Sequence, residues 1–163
     1  MNDDAVPGRT GSRARAADDA PFRPRRARAV GLPVAAVLGV VLAAIAVGLT
    51  LAPTTDWTLA DSALTLLFGL LLCGGLVRVV SVRAVPTAEA LVVRNVVFTH
   101  RVEWGAVVAV RFGGDDPWLL LDTDDGQELA VMAVQRSDGE HARAEARRLA
   151  RLVESRAPRA PRS

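Results

Sequence analysis

Lysine and tyrosine are absent from this chain, and its 163 residues include one cysteine and two histidines. Each shortage removes a class of chemistry. With Cys73 alone, no disulfide framework or cysteine metal site can form within one chain. Cys73 also sits in a long apolar stretch, where it cannot act as an aqueous nucleophile. His100 falls on a strand pattern and His141 on a helix pattern. A general base needs a positioned partner, so both histidines read as structural or exposed. Gly113-Gly114 is followed by Asp115-Asp116, which would repel phosphate and excludes a phosphate-binding loop. Asp122-x-Asp124-x-Gly126 opens like a calcium loop, but that pattern needs glycine and glutamate where Gln127 and Ala133 stand. It therefore reads as a solvated acidic hairpin tip. No enzyme activity, cofactor, metal or small-molecule substrate is expected.

The charge is small and unevenly spread. All 20 basic residues are arginine, a bias that points to a GC-rich bacterial coding sequence more than to a mechanism. The net charge of +2 hides seven Arg against four Asp in residues 1–28, and eleven Arg against twelve acidic residues in 84–163. The second half is therefore not a basic nucleic-acid binder, and no nucleic-acid partner is expected.

What the chain does have is two long apolar stretches, Ala29 to Ala52 and Ser62 to Val77. The first would make a helix of about 36 Å, the second about 24 Å, against a hydrocarbon core of about 30 Å. The second span is therefore extended at both ends, giving spans of 29–52 and 60–80 within a hairpin of 29–80. Arg25, Arg26 and Arg28 precede the pair, Arg78 and Arg83 follow it, and Pro53 to Asp61 between them carries no positive charge. The positive-inside rule then places both termini in the cytoplasm, as an integral, multi-pass protein of the cell membrane. Trp57 is placed as an anchor at the outer interface, and Arg78 can snorkel toward the inner headgroups. Ala44-Ile45-Ala46 has the pattern of a signal cleavage site, but the apolar run is too long and the leader too extended for one. Ala35, Gly39 and Ala43 form a small-residue groove, as do Gly69 and Cys73. An intramolecular hairpin contact is preferred to a homodimer interface.

Residues 1–28 mix Arg, Asp, Ala, Gly and Pro without apolar periodicity and read as a disordered, arginine-rich tail. Residues 156–163 read as a second disordered tail. Between the hairpin and that tail, residues 81–155 carry strand periodicity and then a helix. Ser81 to Val85, Glu89 to Asn95, Val96 to Trp104, Ala106 to Phe112, Trp118 to Asp122 and Glu128 to Val134 are the strand candidates. In the third, Phe98, Val102 and Trp104 are expected on one face; in the fourth, Val108, Val110 and Phe112. Asp125-Gly126 is a hairpin turn. Ser137-x-x-Glu140 is a capping box, which starts a helix at Ser137. Ala142, Ala146, Leu149 and Val153 form its apolar stripe, and Arg143, Arg147 and Arg151 a ridge on another side. The expected fold is a membrane α-hairpin of two transmembrane helices, followed by a small antiparallel sheet or half-barrel with a C-terminal helix.

Leu91-Val-Val-Arg-Asn95, Val102-Glu-Trp104, Val108 to Phe112, Gly114-Asp-Asp-Pro-Trp118 and Val131-Met-Ala-Val-Gln-Arg136 resemble one known family. It is the bacterial pleckstrin-homology-like (PH-like) domain of the low-molecular-weight protein antigen 6 family. The resemblance covers residues 78–155 by motif and the whole chain by architecture, since those actinobacterial proteins commonly place two membrane helices before the domain. It implies a PH fold and no enzyme activity. Phosphoinositide-binding PH domains use basic residues between their first two strands, where this chain has Pro86-Thr-Ala-Glu89 and none. The expected function is a non-enzymatic adaptor that binds an unidentified protein through exposed strand edges or a groove between sheet and helix. The alternative is recognition of anionic lipid by Arg143, Arg147 and Arg151, partly neutralised by Glu140 and Glu145.

Overall fold

The computed structural model describes residues 18–52 and 56–157, which divide into two compact units. One is a helical pair, residues 25–81. The other joins the segment ahead of that pair to residues from Val82 onward. The calls for disorder in residues 1–17 and 158–163 lie outside the described residues.

In the helical unit, α1 (Arg25–Leu51) and α2 (Leu59–Val80) are both long and apolar enough to cross a membrane. Helix α1 starts four residues earlier than the apolar run, so Arg25, Arg26 and Arg28 are helical rather than part of a disordered tail. Thr58 caps α2 in a reciprocal box with Asp61. Most apolar side chains of the pair face outward, among them Val40, Leu70 and Leu71. The inward contacts are small. A Cβ on Gly39 would meet Cys73 Sγ at 3.5 Å, one on Gly69 would meet Leu42 at 3.1 Å, and Cys73 Sγ donates to the Ala35 carbonyl. These are the predicted grooves, used within the hairpin. Ser62 joins the pair near the other end, where its hydroxyl meets Thr50 Oγ1 and accepts from Trp57 Nε1 at 2.7 Å. Trp57 thus has a hydrogen-bond partner within the pair.

The second unit holds two three-stranded antiparallel sheets. β1 (Arg83–Pro86), β2 (Ala90–Arg94) and β3 (Thr99–Glu103) form one, and β4 (Val107–Arg111), β5 (Trp118–Thr123) and β6 (Glu128–Gln135) the other, each in sequence order. Helix α3 (Glu140–Arg156) buries Ala142, Ala146, Leu149 and Leu152 against them. Leu91 and Val93 of the first sheet meet Leu119, Leu121 and Val131 of the second in one core with Trp104. Val153, expected in the helix stripe, packs only at its margin.

Three local expectations are corrected. Phe98 does not face the core with Trp104: Asn95 N–H···Phe98 O closes a turn, so β3 starts at Thr99 and Phe98 stays 67% exposed. Trp104 is buried from a short 3₁₀ turn that breaks the strand alternation. In β4 a register shift between Val107 and Ala109 buries Val107 and exposes Val108, while Val110 and Phe112 still pack on the core. The capping box at Ser137 does not form. Arg136–Asp138 is a 3₁₀ turn, and α3 begins after Gly139, whose φ of 61° and ψ of −124° interrupt the helix.

Candidate functional site

Binding surfaces in this unit are set by the edges of its first sheet. Strand β1 is one edge, and its outer side is occupied by the segment that precedes α1. Phe22 N–H donates to Ala84 O at 2.8 Å and Ala84 N–H returns a bond to Phe22 O at 3.1 Å, an antiparallel bridge. The Phe22 ring is fully buried in the core. Above it lies the Arg148 guanidinium, 3.8 Å from the ring centroid, donating to the carbonyls of Asp18 and Ala20. Arg156 ion-pairs with Asp19 and donates to Thr87 O. Residues 18–24, grouped by composition with a disordered tail, therefore pack on the domain, with a single antiparallel bridge at Phe22. The signal available in the sequence was Phe22 itself, an aromatic in a leader without another.

Strand β3 is the opposite edge, and among the described residues it pairs with β2 alone. Beside it lies an open groove of about 570 Å³ lined by β3 from His100 to Glu103 and by the β5–β6 hairpin from Thr123 to Leu129. Glu103, Asp124, Asp125 and Glu128 line it, against Arg101 and His100. Arg101 is held by Glu89, so part of its charge is already countered. The hairpin is firm. The Asp125 carboxylate accepts from the Thr123 hydroxyl and the Gln127 amide, which hold its pKa below the ordinary 3.8. Arg111 on β4 bonds Glu128 and Asp122, and both push its pKa further up.

The loop between β1 and β2 is a third surface. Its own residues supply no base, as the sequence shows, but the fold brings Arg156 of α3 to it. That guanidinium is spent on Thr87 O and Asp19 and lies over the Trp104 ring. Trp104 Nε1 donates to the same carbonyl at 3.0 Å. The loop is a closed hydrogen-bonded corner.

The predicted ridge on α3 is present. Arg143, Arg147 and Arg151 are exposed, and Arg143 and Arg147 line a shallow 280 Å³ hollow with Val110 and Phe112. Glu145 does not neutralise the ridge, because it pairs with Arg148 at 2.8 Å on the side facing the Phe22 segment. The residues expected at a membrane interface fall in both units. Arg25, Arg26 and Arg28 lie at the start of α1, Trp57 ahead of α2 and Arg78 in its last turn, whereas Arg83 opens β1 and is exposed. Among the described residues no group of three or more His, Cys, Asp or Glu side chains is arranged to hold a metal ion.

Two edges of one small sheet, a helix packed across the core and a tryptophan at the corner are the geometry on which family comparison can be read. The bacterial PH domain family matches residues 80–152, from the end of α2 through most of α3. Residues 80–152 are a bacterial PH domain. Uncharacterised proteins of Mycobacterium tuberculosis (Rv1417) and Mycobacterium bovis (Mb1452) are each 31% identical to the chain over 83 residues. That alignment covers 51% of this chain and 54% of each relative, so the chain spans about half the length of the curated relatives it matches. These findings support the bacterial PH domain and not the antigen 6 designation. No solved structure matches significantly. The PH domain here has one sheet edge closed by its own leader and the other open.

Proposed function

We propose that this protein is a membrane-anchored, non-enzymatic adaptor whose PH domain binds an extended, arginine- or lysine-rich segment of another protein along β3. The observation that carries the reading is the asymmetry of the first sheet. Phe22 occupies the β1 edge by a backbone bridge, and among the described residues the outer side of β3 has no strand partner. Strand addition supplies main-chain hydrogen bonds, and flanking side chains supply selectivity. Here the charged side chains are four carboxylates against one arginine, which favour a cationic segment.

Anchoring is supported by the outward apolar surface of α1 and α2, which at about 40 Å and 33 Å are long enough for a hydrocarbon core of about 30 Å. The pairing of Phe22 with Ala84 supports a common side for both flanks, since those residues lie before and after the two helices. The arginines around the pair favour the cytoplasmic side.

The test uses the full chain in lipid nanodiscs, titrated with an extended Arg-rich peptide and with its Glu-substituted counterpart. Salt-sensitive binding of the first alone is expected, weakened on Glu103→Gln with Asp124→Asn. Equal binding of both peptides, or none, would sink the reading. The alternative, anionic-lipid recognition by the α3 ridge, is favoured by the absence of ion pairs from Arg143, Arg147 and Arg151 among the described residues. It requires that the triple Gln replacement abolish salt-sensitive association with anionic vesicles.

A further inference from the structure

The turn between β2 and β3 has a composition that folding does not explain. A two-residue hairpin loop normally carries Asn, Asp or Gly. Here Val96 and Val97 occupy it, followed by Phe98, and Val97 and Phe98 are 69% and 67% exposed. Exposed valine and phenylalanine at a turn tip contribute nothing to a core. The His100 ring meets Phe98 edge-on at 6.3 Å.

Beside the tip lies a second unexplained pair. Arg83 on β1 is directly opposite Arg94 on β2, and Arg94 is directly opposite Thr99 on β3. Like charges in register repel. Both arginines are exposed and neither makes an ion pair among the described residues. Two guanidinium groups on one face of a sheet form a site for an anion with several acceptor oxygens. Across the length of β3, about 13 Å, the character reverses: Glu103 ends the strand, and Asp124 donates its amide to Ala106 just beyond. The domain is basic and apolar at one end and acidic at the other.

Connectivity selects the occupant. Arg83 follows Val80, the last residue of α2, by three residues, so at most about 10 Å of chain separates them. We infer that the Arg83–Arg94 pair and the Val97–Phe98 tip form a bilayer-contact surface, the arginines binding anionic lipid phosphate while the tip enters the interface. This rests on α2 spanning the membrane. The surface is at the opposite end of β2 from the Pro86–Glu89 loop and on a different element from the α3 ridge. Its effect is orientation rather than recruitment: it turns the acidic end, and the open β3 groove, away from the lipid.

The experiment uses the full chain with Cys73→Ser, single cysteines at Val97→Cys, Asp125→Cys or Leu70→Cys, and an environment-sensitive fluorophore on each. Nanodiscs contain phosphatidylcholine alone or mixed with phosphatidylglycerol, and acrylamide serves as the neutral quencher. In the mixed discs the label at 97 should shift to the blue and lose severalfold in quenching, and Arg83→Gln with Arg94→Gln should restore it. The label at 125 should remain fully quenched, and the Gln triple variant of the α3 ridge should change nothing. A label at 97 quenched as readily as that at 125, with Leu70→Cys still protected, overturns the inference and leaves the span intact. Protection at 97 that ignores both lipid charge and the two arginines overturns the role given to them. Full quenching at Leu70→Cys means that the span itself has failed.

Discussion

Phe22 is the only aromatic residue in the first 56 positions, and its ring lies wholly within the domain core. Removing a buried phenyl ring costs about 3–5 kcal/mol where the site cannot collapse. Phe22→Ala also takes away the surface on which Arg148 stacks. Denaturant unfolding of the full chain in nanodiscs, read from Trp104 fluorescence with Trp57 and Trp118 replaced by Phe, should show about 3 kcal/mol lost. A loss below about 0.5 kcal/mol would be the size of an ordinary surface substitution and would mean that the leader is not part of the core. Asp125 makes a different prediction. Its folded pKa is depressed, so its stabilising contribution is complete above the ordinary 3.8 and is lost only as pH falls through the lower folded value. A carboxyl-carbon NMR titration should therefore find its midpoint below 3.8. A midpoint at or above that value would remove the Thr123 and Gln127 bonds as its cause.

At the scale of elements, the start of α3 separates local sequence from realised structure. Ser137-x-x-Glu140 has the spacing of a cap, but Ser137 Oγ lies 3.4 Å from Gln135 Oε1 and Gly139 interrupts the helix. Gly139 has open space around its missing Cβ, so its requirement is conformational alone. Gly139→Ala should cost about 1–3 kcal/mol through backbone strain, and Ser137→Ala less than about 0.5 kcal/mol. The reverse order in thermal unfolding would restore the capping box. The strands show the same division. β2, β5 and β6 lie within a residue or two of their sequence patterns, because their alternating apolar residues meet a core that needs them. β3 and β4 depart where a turn and a bulge reset the alternation, which no periodic pattern encodes.

For the whole molecule, the leader pairing with β1 makes a strong statement about topology. If α1 and α2 span the membrane as proposed, a segment before them and a domain after them can share a bridge only when both lie on one side. Reporter fusions at Ser163 and within Pro53 to Asp61 should give cytoplasmic and exterior signals respectively. An exterior signal at Ser163 would move the domain, and the open β3 edge with it, across the membrane.

The sequence by itself determined the apolar helix pair, the strand-then-helix order of a PH domain and the arginine ridge on α3. Composition and periodicity act over a few neighbouring residues, and that range was sufficient for them. Only the tertiary structure decided which sheet edge is closed and which is open, that Glu145 serves Arg148 rather than the ridge, and that Arg83 stands opposite Arg94. The closed edge depends on contacts as distant in sequence as Arg156 with Asp19, 137 positions apart, and no local pattern carries them.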